Sequence, residues 1–147
     1  MNMIEVITEA YEDIYSYFKE YVKSNSIYSP AITKQAPEEL NISPLIILRQ
    51  YDTYLTDSTL RKGNKEKKNR IVLEVEIYST DIIKDDKKIA KQKVINELIA
   101  LVDDVLGDYY NLNLDSSKTI PNIDTNINRH RMQYSSVIDI NKKLYRR

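Results

Sequence analysis

Between residues 3 and 23 the apolar side chains Ile4, Ile7, Tyr11, Ile14, Phe18 and Tyr21 recur in steps of three and four, which puts them on one stripe of a helix. Met3, Ala10 and Tyr17 widen the stripe, while Glu5, Glu9, Glu12, Asp13 and Glu20 fall mostly off it. Under three heptads is short for a coiled coil, so this helix is expected to pack on a sheet. Residues 24–44 hold three of the four prolines, and Pro fits neither helix interiors nor central strands, so only short extended pieces are expected there. Residues 45–55 are β-branched and aromatic and then alternate, which predicts a strand. Residues 70–79 set Ile71, Leu73, Val75 and Ile77 on one face and Val72, Glu74, Glu76 and Tyr78 on the other, a second strand. Between the two, residues 56–69 contain Lys62-Gly63-Asn64, turn chemistry flanked by bases, so a long antiparallel hairpin with a basic tip is predicted.

Helical spacing returns over residues 85–106 through Ile89, Val94, Ile95, Leu98, Ile99, Val102, Val105 and Leu106. Asp85 and Asp86 then stand at the positive, N-terminal end of that helix and Gly107 at its stop. A short strand over 109–114, a polar loop around Pro121 and a longer alternating strand over 127–140 follow. In the last of these His130, Met132, Tyr134, Ser136 and Ile138 share a face, opposite Arg129, Arg131, Gln133, Ser135 and Val137. Asn141-Lys142-Lys143 reads as a turn that returns Leu144 and Tyr145 onto Ile138 and Ile140. There is no internal repeat and no low-complexity tail. The pattern predicts one α+β domain over residues 1–147, in the order α-β-β-α-β-β, with two helices on a mixed or antiparallel sheet and a long charged hairpin.

A chain of 147 residues can hide roughly 70% of the surface its unfolded form exposes, enough for one core and not for two domains. Missing residue types narrow the chemistry. With no Cys there is no thiolate nucleophile, Cys-ligated zinc, iron–sulfur cluster or disulfide, and a single His, His130, excludes any site that needs two imidazoles. Gly63 and Gly107 are too far apart for a phosphate-binding loop or a dinucleotide fingerprint. These absences argue against an enzyme, and no metal or cofactor is implied. Carboxylates interrupt the N-terminal segment where a secretory signal needs an apolar run, and no stretch approaches the ~18 apolar residues of a membrane span. A soluble protein that stays in the compartment where it is made is expected.

The 22 bases and 22 acids cancel overall but not locally. Residues 1–60 carry a net −5, residues 61–70 a net +5, residues 71–126 a net −5 and residues 127–147 a net +5. Such blocks suit a protein whose copies orient by opposed charge. They also suit solvated faces with no partner, since blocks in sequence need not be patches in space.

Three sets of residues could carry chemistry. His130 is the obligatory base of any hydrolytic mechanism, but Arg129 and Arg131 point to the opposite face and no orienting carboxylate is local, so it reads as an ordinary strand histidine. Glu74 and Glu76 could offer a carboxylate pair to a metal or a glycosidic bond. With no His or third acid at matching spacing, they read as a solvated strand face, and Asp85-Asp86 and Asp103-Asp104 as helix-surface charges. The tip residues Arg61, Lys62, Lys65, Lys67, Lys68 and Arg70 form the one dense cationic cluster in the sequence. They suit contact with a phosphate backbone or a neighbouring subunit, or a solvated loop.

The stretch Arg129-His130-Arg131-Met132-Gln133-Tyr134-Ser135-Ser136-Val137-Ile138-Asp139-Ile140, closing with Leu144-Tyr145-Arg146-Arg147, resembles the final strands of tail terminator (tail completion, or minor capsid) proteins of long-tailed bacteriophages. The α-β-β-α-β-β layout with a charged hairpin in its first half is similar to that family over nearly the whole chain. The resemblance implies a small non-enzymatic α+β subunit that assembles as a ring, a hexamer in that family, on the head-proximal end of the tail tube. There it would cap the tube, stop its polymerisation and offer a docking surface to the neck. It further implies that the tip residues 61–70 contact a neighbouring subunit or the DNA that passes through the channel. Arg129, Arg131, Tyr134, Tyr145, Arg146 and Arg147 would form a C-terminal structural or assembly element. The implied place is the virion, with assembly in the host bacterial cytoplasm. A head-to-tail ring needs two complementary surfaces on each subunit, which the charge blocks could supply. The competing readings are another neck or head–tail joining protein of related fold, a small nucleic-acid-binding protein using residues 61–70 with Arg129 and Arg131, and an enzyme with a carboxylate site. Overall neutrality argues against the nucleic-acid reading.

Overall fold

In the computed structural model, which describes residues 3–37, 44–51 and 68–145, helix α1 (Met3–Asn25) opens the chain. It is followed by the short strand β1 (Ala31–Thr33), then β2 (Leu45–Gln50) and β3 (Lys68–Ser79). The hairpin β4 (Ile82–Lys84) and β5 (Lys87–Ile89) leads into α2 (Lys91–Asp103), which widens into a π-helical segment, Asp104–Tyr109. Strands β6 (Asn113–Ile120), β7 (Asn128–Asp139) and β8 (Leu144–Tyr145) complete the order. The main sheet runs β1-β2-β3-β7-β6, with β8 also pairing β7. It is mixed, because β1 lies parallel to β2 while the other pairs are antiparallel. The result is a small α+β domain with two helices on the sheet, as the hydrophobic pattern predicts.

The core lies between the helices and one face of the sheet. Ile46 and Leu48 of β2, Ile71, Leu73, Val75 and Ile77 of β3, and Met132, Tyr134 and Ile138 of β7 meet Ile7, Ile14 and Phe18 of α1 and Val94, Leu98 and Val102 of α2. The period-two alternation of β3 and β7 therefore becomes one apolar surface, and the period-3.6 stripes of the helices cover it. On α1 the buried stripe also takes in Val6, Tyr15 and Val22, whereas Ile4, in the first turn, is 55% exposed. Two α1 hydroxyls anchor the helix to the sheet: Tyr11 donates to the Leu48 carbonyl at 2.7 Å and Tyr15 to that of Ile32 at 3.2 Å. Burial pushes both phenols above their ordinary range.

The two strands of the predicted hairpin pair antiparallel as β2–β3, registered from Leu45↔Tyr78 to Gln50↔Leu73, while residues 52–67, with most of the basic tip, lie outside the described residues. Its second strand begins at Lys68, earlier than the alternation alone suggests. The turn at 141–143 also forms, with Lys142 at φ 63° and Leu144 opposite Ile138.

Other boundaries differ from expectation. Asp85 and Asp86 do not start a helix. They are the two central residues of the β4–β5 hairpin, both at positive φ (54° and 60°), the geometry that two-residue turns need and that Asp tolerates. Helix α2 starts instead at Lys91, whose N–H is received by the Asp81 carboxylate at 2.8 Å. Gly107 does not stop the helix but lies inside the π-helical segment, and the left-handed residue beyond it is Asn111 (φ 61°). Tyr109 belongs to that segment rather than to a strand, and the stretch read as a polar loop before Pro121 is mostly β6. Period misled here because β6 is an edge strand in which no position is fully buried, so it carries no hydrophobic alternation.

Candidate functional site

Among the described residues no helix packs on the second face of the sheet. At one end of that face Leu45, Ile47 and Tyr78 form a small apolar cluster with Ile127 against it. Beside them β3 points Glu74 and Glu76 the same way, and the register sets each beside an arginine: Arg49 of β2 is opposite Glu74, and Arg131 of β7 is opposite Glu76. Tyr78 is opposite Arg129, whose guanidinium lies 5.4 Å from the ring centroid.

Glu76 is the hub. Its Oε1 receives Arg129 Nη2 at 2.8 Å and Arg131 Nη2 at 3.0 Å and lies 3.1 Å from Arg49 Nη2. Its Oε2 receives the Tyr78 hydroxyl at 2.7 Å. Arg49 Nη2 also donates to Glu74 Oε1 at 2.8 Å. Glu76 is only 2% and Glu74 7% exposed, so the expectation of a solvated strand face is overturned. Each carboxylate has a guanidinium on a neighbouring strand, and a buried charge survives when it is paired and hydrogen-bonded. Burial alone would raise the Glu76 carboxyl, but the hydrogen bonds from Tyr78, Arg129 and Arg131 outweigh it and hold the pKa at about 2. Burial, reinforced by the Glu76 carboxylate, pushes the Tyr78 phenol to about 12. The arrangement is therefore an ion-paired clamp across β2, β3 and β7, and Glu76 is held too far below the usual carboxylate range to serve as a general acid near neutral pH.

The arginines expected to face a partner are thus committed within the chain, although Arg131 keeps 35% and Arg129 23% of its side-chain surface. Arg129 Nε is buried and has no hydrogen-bond partner among the described residues. Arg70 lies within β3, donates to Ser135 Oγ at 2.7 Å and stands 3.9 Å from Asp115. Lys68 begins β3 opposite Asp139, while Arg61, Lys62, Lys65 and Lys67 lie outside the described residues, as do Arg146 and Arg147. Tyr145 pairs with Val137 through the backbone. Tyr134 is fully buried, and its hydroxyl donates to Asp103 Oδ1 at 2.7 Å. Asp103 is accordingly a core-edge acceptor and not a free helix charge.

His130 is 8% exposed on the helix side of β7, with Nε2 2.7 Å from Ser117 Oγ. Burial lowers its pKa. Among the described residues no carboxylate is recorded in contact with it, so it has the environment of a packed strand histidine. The residue missed in the sequence is Arg49. Its signal was positional, two residues after Ile47 on one strand face, but it becomes readable only once Arg49 is known to pair with Glu74.

No family model matches the chain, and no curated protein matches it.

Proposed function

We propose that this protein is a structural subunit of phage assembly, similar to tail terminators, which forms a ring on the head-proximal end of the tail tube. The ring, hexameric in the resembling family, caps the tube, stops its polymerisation and offers a docking surface to a neck or connector protein. Its role is non-enzymatic. It works in the virion after assembly in the bacterial cytoplasm, with further copies of itself, the tube protein and DNA passing through the channel as partners.

The observation that carries this reading is the C-terminal hairpin. The run from Arg129 to Asp139 that bears the resemblance lies between β3 and β6 in the sheet, and Leu144–Tyr145 folds back on it in the register Ile138↔Leu144 and Val137↔Tyr145. The same strand carries Arg129 and Arg131, which bind Glu76 and tie the first half of β7 to β3. Rigid, preorganised surfaces suit ring closure, because each subunit must repeat one geometry. The rival nucleic-acid reading loses support from the same contacts, since these two arginines already have carboxylate partners.

The test is tube length. Tube protein of the same particle polymerised with the purified protein should give short tubes capped at one end, and native mass should show a ring. Tubes that grow to the same length with and without it, together with a monomer that binds DNA, would overturn the proposal in favour of nucleic-acid binding. No described helix is long and apolar enough to cross a membrane.

A further inference from the structure

At the rim of the core, α1 and the π-helical segment hold a tyrosine cluster that the clamp does not use: Tyr17, Tyr21 and Tyr110 are partly buried against the core and Tyr109 is exposed. Tyr17 stacks on Tyr109 with ring centroids 4.2 Å apart and planes at 12°, and on Tyr21 at 6.1 Å. Tyr110 meets Tyr17 and Tyr109 edge-on. Tyr109 remains 61% exposed, and Tyr17, Tyr21, Glu20 and Ser24 border a depression of about 250 Å³. Asp104 receives the Tyr21 hydroxyl at 3.4 Å, and Asp104 and Asp108 both act on that phenol, raising its pKa after burial. Asp13 acts on Tyr110 in the same way but is held by Lys142 at 3.6 Å. Among the described residues, Glu20, Asp104 and Asp108 have no ion pair. Stacked phenol faces rimmed by unpaired carboxylates attract Lys and Arg through ring quadrupole and charge together.

The chain holds a matching element. Residues 61–67 contain Arg61, Lys62, Lys65 and Lys67 against the single acid Glu66. We infer that the tyrosine surface of Tyr17, Tyr21 and Tyr109, with Glu20, Asp104 and Asp108, docks the basic 61–67 segment of a second copy of this chain. The inference rests on the ring reading and deepens it, because two distinct complementary surfaces on one subunit make a head-to-tail contact of the kind that closes a ring.

Sedimentation of the full-length protein over a range of concentrations and salt tests it, with melting curves to check folding. Glu20→Lys/Asp108→Lys should weaken self-association roughly tenfold or more, as should Lys62→Glu/Lys65→Glu. An equimolar mixture of the two variants should associate again, because each then supplies the surface the other needs. The uncharged pair Glu20→Gln/Asp108→Asn and the single Tyr109→Ala should weaken association less, and high salt should weaken the wild type. If both double variants associate like wild type, the docking surface is wrong while ring formation stands. If the mixture stays dissociated but the four-fold charge swap in one chain associates, the segment binds its own subunit and the inference fails. A wild type that is monomeric at every concentration also overturns it, and tube capping would then still decide the function separately.

Discussion

The hydroxyl of Tyr134, in β7, donates to the Asp103 carboxylate at the end of α2 at a distance of 2.7 Å. The bond pins the helix terminus to the sheet, and it explains why the next turn contains a glycine. A Cβ on Gly107 would stand 2.5 Å from Asp103 Oδ1, where the carboxylate must sit to receive Tyr134.

Gly107→Ala should therefore invert the usual helix preference. Ala ordinarily gains about 1 kcal/mol over Gly in a helix, whereas here the clash should cost about 1–3 kcal/mol. In an Asp103→Ala background the same change should be neutral or stabilising. Denaturant melts of the four proteins measure the coupling, and a stabilising Gly107→Ala in the wild type would remove the carboxylate as the reason for glycine.

Glu76→Gln should destabilise the fold. The folded-state pKa of about 2 against an ordinary 4.5 corresponds to about 3 kcal/mol, and Arg49, Arg129 and Arg131 would lose their common acceptor. Urea titration at neutral pH checks it. A loss too small to measure would mean that the guanidiniums are well enough solvated to need no partner.

Stability should fall with acid in two windows. His130 has a lowered pKa in the folded state, so the unfolded chain takes up a proton first and stability declines as pH drops below its ordinary 6.5. Glu76 is also depressed, so its contribution is full above 4.5 and is lost as pH falls toward about 2. His130→Gln should flatten the first window and Glu76→Gln the second. Melting temperature followed against pH distinguishes them, and a profile unchanged in either variant would contradict the assigned group.

Phe18→Ala removes a fully buried ring from the seam between α1 and the sheet, which should cost roughly 3–5 kcal/mol. A melting temperature within about 1 °C of wild type would show that the seam contributes little, since that cost should shift it by several degrees at this chain length.

Removal of residues 144–147 deletes β8, which pairs with Val137 and Ile138. The truncated protein should melt at least about 2 °C lower and fail to cap tubes, unlike a protein trimmed at a frayed end. Normal melting and normal capping would sever the C-terminal hairpin from both stability and function.

The sequence by itself determined what repeats locally. The stripe through Ile7, Tyr11, Ile14 and Phe18, the alternation of Ile71 to Ile77, and the opposed faces of residues 129–138 each depend only on the period of the backbone, and each appears in the structure. The antiparallel pairing of β2 with β3 also followed, and so did the return of Leu144, because the turn at 141–143 joins near neighbours. Tertiary structure decided everything that depends on register between distant strands. Glu74 and Glu76 read as solvated because their arginine partners lie 25 to 55 positions away in sequence, and only strand pairing reveals that charge meets charge. Asp85 and Asp86 became a turn and not a helix start because the neighbouring Ile82 and Ile89 pair across them. Gly107 had a helix-stop reading in isolation, but its true constraint is Asp103 held by Tyr134, a contact no local pattern encodes.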